Sequence, residues 1–400
     1  MKETWRWFGP DDPVSLQDIA QAGATGIVTA LHHLPAGAIW SEREISLRNR
    51  EILLSKSYIN VDLKWSVVES LPVSEDIKRQ SGDWRTHIKN YCISLENLAA
   101  AGISTICYNF MPILDWTRTE LEWKLPNGAT CMRFDLIDFI AFDVFILKRN
   151  GACNDYSEDL NLEAKKRFEG MSKETKEDLT SNIVSGLPGS ASKFLLKDIK
   201  LHLKKYENIT ERILRTNFVS FLKEVAPVAH ELGLRLCCHP DDPPFPLLGL
   251  PRIMSTEKDY KIIMDEIPLK SNGITLCSGS LGVRAENNLI KMMSRLGDRV
   301  HFLHLRNVKR ESDMVPNSFY EEEHLKGNTD MVSLIRAILE EEKRRRKNKR
   351  EDWSIPFRPD HGHNILDDLK RKSKPGYPAI GRLKGLAELR GILTALSNSL

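Results

Sequence analysis

Four short hydrophobic runs in the second half of the chain each end on a residue that can bind a metal ion. They are Leu234–His239, Gly273–Cys277, Val300–His304 and Ile355–Asp360. Two imidazoles, one thiolate and one carboxylate delivered in this way can converge on a single divalent cation. A lone His or Cys at such a place is usually structural. Four donors ending four successive runs form a pattern that chance does not readily supply. Polar residues follow each donor: Asp241-Asp242, Ser278-Gly279-Ser280, Arg306-Asn307 and His361-Gly362-His363. A thiolate and two imidazoles disfavour magnesium, which asks for oxygen ligands. Fe(II) or Mn(II) suits a mixed nitrogen, sulfur and oxygen set with positions left open for a substrate.

The elements that carry these donors read as buried parallel strands, each with a functional residue at its C-terminal tip. Eight candidates can be counted: Trp5–Gly9, Gly26–Leu31, Leu63–Glu69, Thr105–Phe110, Arg235–His239, Ile274–Ser278, Val300–Arg306 and Ile355–Asp360. Segments of helical period separate most of them, among them Ser15–Ala22, His87–Ala101, Asn217–Leu232 and Met331–Glu341. Glycine closes three helices, at Gly23, Gly102 and Gly233. Strand and helix alternating eight times predict a (β/α)8 TIM barrel, whose chemistry sits at the C-terminal ends of the strands. One catalytic domain spanning 1–400 is expected. A long connection between the fourth and fifth strands reads as a helical insertion over about 134–215, with Leu187–Ser192 as a linker inside it.

The remaining features narrow the function. A formal charge of +3 in 400 residues gives no reason to expect nucleic acid as partner. No run is long enough to span a bilayer, and the first residues lack an apolar signal core. Seven cysteines without a C-x-x-C framework suit a reducing compartment, so a cytoplasmic protein is expected. The basic run after Glu340 is flanked by acidic residues and reads as a solvated helix end. Arg306, Arg358, Asn109 and His32 lie near strand ends, where they could hold an anionic, hydroxylated substrate. His32 and His33 cannot both face the barrel axis if extended. His324 lies in a long loop, where cap and substrate lid are both open readings.

At these same residues the chain resembles the mannonate dehydratase family. The likeness includes Trp5–Pro10, Thr29–His33, Trp65–Ser70, Tyr108–Arg118, His239–Pro244, Leu248–Arg252, Leu276–Ser280, His304–Arg306, Arg358–His363 and Pro375–Lys384-Gly385. It implies a xylose-isomerase-like barrel that dehydrates D-mannonate to 2-keto-3-deoxy-D-gluconate with Fe(II) or Mn(II), in hexuronate (glucuronate) breakdown. It places the metal ligands on His239, Cys277, His304 and Asp360, and proton transfer on Tyr377, Asp360 and His361. The partner is then a small sugar acid, with no nucleic acid and no membrane, and a homo-oligomer is expected. A metal-dependent sugar isomerase on the same barrel is the alternative, although such sites lean on carboxylates. A barrel endonuclease would need a basic face, and a scaffold protein would leave four converging donors unexplained.

Overall fold

The computed structural model describes residues 1–57, 59–114, 116–184 and 195–398. Twelve strands form among them. They are β1 (Lys2–Arg6), β2 (Gly26–Thr29), β3 (Lys64–Glu69), β4 (Thr105–Tyr108), β5 (Glu120–Lys124), β6 (Thr130–Phe134), β7 (Arg235–Cys238), β8 (Asn272–Cys277), β9 (Val300–His304), β10 (Asn307–Arg310), β11 (Phe319–Glu322) and β12 (Pro356–Arg358). Eight of them close a parallel barrel in the order β1-β12-β9-β8-β7-β4-β3-β2. The expected barrel is therefore present. Its first strand lies three residues earlier than expected, because β1 pairs with β2 through Thr4, Trp5 and Arg6.

The helices between strands start and stop for local reasons. Ser15 and Asp18 form a capping box at the helix Leu16–Gln21, and Thr256 with Asp259 does the same at Glu257–Glu266. Gly23, Gly102 and Gly233 follow helix ends at φ +80°, +76° and +68°. That backbone favours glycine, which has no Cβ to clash. The helices pack their apolar faces on the outside of the strands in one continuous core. Inside the barrel, Val28, Val67, Cys107, Cys237 and Phe302 form a separate buried layer. This plug divides the barrel axis into an upper chamber at the C-terminal strand tips and a floor at the other end.

Between β4 and β7 the chain forms a hairpin of β5 and β6 and then the helices Leu136–Ala141, Glu158–Gly170, Lys173–Val184 and Leu196–Lys205. The helical reading of this stretch omitted the hairpin, and its linker at Leu187–Ser192 lies outside the described residues. β5 and β6 join β10 and β11 in an antiparallel sheet of order β10-β11-β6-β5. Phe134, Phe139, Phe142, Leu179, Ile183 and Ile199 pack with Phe245, Val308 and Phe319 in a second core. The insertion is thus welded to loops that follow β7 and β9. This second sheet lies beside the upper chamber and sends one side chain, Glu321 of β11, into contact with the site.

Candidate active site

His239, Cys277 and His304 come from the tips of β7, β8 and β9, which are neighbours in the barrel. Their donor atoms all lie within 4.8 Å of one another. His239 Nε2 is 3.1 Å from His304 Nδ1. Two ligands at right angles and about 2.2 Å from one cation stand about that far apart. The outer nitrogens differ in their surroundings. His239 Nδ1 lies 2.7 Å from the Pro240 carbonyl, to which it donates, leaving Nε2 as the lone-pair donor. His304 Nε2 lies 3.3 Å from Glu69 Oε2, an ion-pair contact rather than an aligned hydrogen bond. Burial holds His239 below its ordinary pKa, which keeps the imidazole neutral and able to ligate. Cys277 Sγ accepts from Ser280 N at 3.4 Å and Ser280 Oγ at 3.3 Å. These three side chains fit a divalent cation.

Asp360 is brought to the same place but stands outside that three-residue set. Its Oδ2 lies 3.8 Å from Cys277 Sγ, while its Oδ1 is drawn to Arg358. The Asp360 backbone is left-handed, at φ +54°, an uncommon conformation for a residue other than glycine. Burial pushes its carboxyl up, but Arg358, His361, His304 and Arg306 hold it well below the usual carboxylate range.

Around the donors lies a buried mosaic of charge. Glu69 takes two hydrogen bonds from Arg358, at 3.0 and 2.8 Å, and an ion pair from Arg6 at 2.6 Å. Asp242 takes Arg118 through both oxygens, at 2.9 and 3.2 Å, together with Arg306 at 2.9 Å and Ser280 Oγ at 3.0 Å. Glu321 meets Arg118 at 2.9 Å, His361 at 3.2 Å and Arg306 at 3.3 Å. Burial alone would raise the Glu321 carboxyl, but Arg306, His361 and Arg118 bring it down to about 2. Asp242 is lowered in the same way by Arg118 and Arg306. None of Glu69, Asp242 or Glu321 stood among the expected site residues. The first two were within reach of a strand-tip search, since Glu69 ends β3 and Asp242 follows β7 closely. Glu321 had no such signal, because it arrives from the second sheet.

Most of the other expected residues also meet here. Asn109, Arg306, Arg358, Asp360, His361 and Tyr377 line one cavity with Glu69, Trp116, His239 and Asp242. The free volume is about 20 Å³. Tyr377 is buried, its ring edge-on to Phe8 at 4.9 Å and to His361 at 5.0 Å. Burial pushes its phenol up, against the pull of Arg358, so the hydroxyl keeps its proton at neutral pH. His361 Nε2 lies 3.6 Å from Asp360 Oδ1.

Two expectations land elsewhere. His324 is buried, but its Nε2 lies 2.7 Å from the Leu305 carbonyl and 3.2 Å from that of Pro359. It braces the backbone behind two strand tips and is not among the residues that line the cavity. His32 also stands outside the cavity lining, beside Phe8 at 5.5 Å between ring centres. Its two ring nitrogens are buried without a hydrogen-bond partner, while His33 turns outward to Glu44 at 2.8 Å.

Fold and site together define a parallel (β/α)8 barrel with a candidate metal centre at its strand tips. The D-mannonate dehydratase (UxuA) family model matches residues 1–400, and the chain belongs to that family. It is 55% identical over 398 residues to mannonate dehydratase 1 of Agrobacterium fabrum, covering 100% of this chain and 98% of the relative. It is 54% identical over 399 residues to the mannonate dehydratase of Rhizobium meliloti, with the same coverage. The crystal structure of mannonate dehydratase from Streptococcus suis serotype 2 superposes with a TM-score of 0.75 at 30% identity, covering 100% of this chain and 94% of that one. The chain is accordingly a lyase acting on a small sugar acid.

Proposed function

We propose that this chain removes water from D-mannonate to give 2-keto-3-deoxy-D-gluconate in glucuronate catabolism, using Fe(II) or Mn(II) held by His239, Cys277, His304 and Asp360. The observation that carries the reading is the convergence of His239, Cys277 and His304, whose donor atoms all lie within 4.8 Å of one another. The cation, when bound, would offset the negative charge that develops on the substrate carboxylate as the C2 proton leaves. The chain's own groups do the rest. A base takes the proton from C2, the C3–oxygen bond breaks, and an acid delivers a proton so that hydroxide departs as water. The resulting enol tautomerises to the 2-keto acid. Tyr377 suits the acid, since burial keeps its phenol protonated beside the cavity. We assign the base to His361, whose Nδ1–H donates to Glu321 Oε1 at 3.2 Å, leaving the lone pair on the Nε2 that faces Asp360.

Arg306 and Arg358 are both tied to carboxylates. Their task is to fix Asp242, Glu69 and Asp360 and to keep the chamber's charge balanced before substrate arrives. Asn109 offers the cavity an uncharged polar group for a substrate hydroxyl. A cytoplasmic location accords with seven cysteines that are all free. No helix among the described residues is long and apolar enough to cross a membrane. Self-association accords with the exposed Leu47, Leu53 and Leu54 of one helix. The test is a 2-keto acid assay on D-mannonate and its C2 epimer D-gluconate, run beside elemental analysis of the protein. Turnover of D-mannonate that scales with bound Fe or Mn, with D-gluconate slower by a hundredfold or more, is expected. Equal rates on both acids would overturn the assignment of a fixed C2 proton and base.

A further inference from the structure

The barrel holds a second chamber beneath the Val28, Val67, Cys107, Cys237 and Phe302 plug, at the end opposite the active site. Lys2, Ser66, Thr105, Arg235 and His301 line it, and the segment Glu351–Pro356 crosses below. Its free volume is about 300 Å³, against about 20 Å³ at the metal donors. Ligand pockets begin at about that size.

Two irregularities in the sheet border this space. Ile274 pairs with Val300 and Thr275 with Phe302, so His301 is an extra residue in β9. Ile27 pairs with Trp65 and Val28 with Val67, so Ser66 is an extra residue in β3. A bulge re-aims the side chain it carries. The His301 ring lies over Gly273, where an added Cβ would come 2.3 Å from its Cδ2.

The lining has a definite chemistry. His301 Nε2 lies 2.9 Å from the Lys270 carbonyl and donates to it. Its Nδ1 is therefore a lone-pair acceptor, and it is buried with no partner. Burial, with Arg345 and Arg235 nearby, holds this imidazole at about 3, so it stays neutral and can only accept. An unmet buried acceptor calls for an O–H or N–H donor. Ser104 Oγ accepts from Arg235 Nη1 at 3.2 Å and so has its own proton to give. The charge on the walls is uneven. Asp352 is engaged by Arg235 at 3.2 Å, Arg345 at 3.5 Å and Arg350 at 2.7 Å. Lys2 opens onto the same chamber and has no carboxylate partner among the described residues, its charged neighbour being Lys64. The chamber thus offers a free ammonium, a guanidinium, serine hydroxyls and one hungry acceptor.

We propose that this floor chamber binds a small hydroxylated carboxylate, its anionic end at Lys2 and Arg235 and a hydroxyl donating to His301 Nδ1. The ligand class is that of the sugar acids, but the site is separate from the catalytic chamber and does not depend on the reading of that chamber. Calorimetric titration of the full chain, stripped of metal by a chelator, with D-gluconate as probe tests it. Lys2→Glu sits at the exposed rim and leaves the fold and the upper chamber alone; His301→Phe removes the acceptor. Binding weakened at least tenfold by either change, with D-mannonate turnover unaltered by Lys2→Glu, is the expected result. A crystal grown with D-gluconate should show it on the floor. Unchanged affinity in Lys2→Glu, ordered water alone in the chamber, or inorganic phosphate binding as tightly as D-gluconate would overturn the proposal.

Discussion

Replacing Glu69 by Gln probes how far the charge mosaic supports the metal donors. Glu69 is 5% exposed and is held by Arg358 through two hydrogen bonds, by Arg6 at 2.6 Å and by His304 Nε2 at 3.3 Å. Burial would raise its carboxyl, but Arg358 and Arg6 hold it well below the usual range, so it is ionised at neutral pH. Gln keeps the shape and one acceptor but removes the charge and turns an amide N–H₂ toward guanidinium groups. Breaking a buried pair costs about 3–5 kcal/mol, because the partners left behind stay desolvated. A chain of 400 residues unfolds with an entropy of about 0.84 kcal/mol/K, so the melting temperature should drop by about 4–6 °C. The second consequence falls on the metal. Loss of a carboxylate behind a ligating imidazole typically costs about 10–100-fold in affinity. Calorimetric melting of the metal-free protein and Mn(II) titration of the same sample separate the two effects. A variant that melts within 1 °C of the parent and binds Mn(II) within about twofold of it would refute the reasoning that Glu69 orients His304 and balances the two arginines.

Three further outcomes follow from the same geometry. Tyr377→Phe deletes one hydroxyl from a well-packed ring, so metal content and melting temperature should hold while kcat falls by about a hundredfold or more; near-normal kcat would move the acid to another group. Cys277→Ser should lose most bound Fe or Mn by elemental analysis while circular dichroism stays that of the parent, and metal retention in the parent should fall in acid as protons compete for thiolate and imidazole. Stability should also fall in acid. His239 and His301 are held below their ordinary values, so from about pH 6.5 downward the unfolded chain takes protons the folded one refuses; Glu321, at about 2, extends that loss below pH 4.3. Melting of the metal-free protein at pH 7.5, 5.5 and 4 reads this out, and a flat profile would contradict the burial of these groups.

The barrel was legible because its strands combine buried apolar runs with turn residues and capped helices between them. The convergence of His239, Cys277 and His304 was legible for the same reason, since each ends an apolar run at a strand tip of the barrel. β1 was displaced in the reading because its alternate residues, Lys2, Thr4 and Arg6, serve a polar floor and a charged upper chamber, while Trp5 and Trp7 drew attention to the wrong register. The β5–β6 hairpin was missed although Asn127-Gly128 is a strong turn signal between its strands. Helical period on either side of it dominated. β10 and β11 are four residues each, too short to announce themselves, and with them went Glu321. His324 turns to the backbone carbonyls of Leu305 and Pro359, contacts with distant strand tips that no local pattern reveals.

β1 meets β12 through two register pairs, Lys2 with Pro356 and Glu3 with Phe357. The ring is fastened by its first and last strands, the most non-local strand pairing among the described residues and the one opposed by the largest loop-closure entropy. Unpaired with each other, β1 and β12 would be bare sheet edges, open to pairing with another copy. Arg6 stands at one lip of the seam and Arg358 at the other, and both reach Glu69. Seam and chamber therefore share their residues: a chain with the seam open would carry an adhesive edge and lack the Arg6–Glu69–Arg358 contacts together.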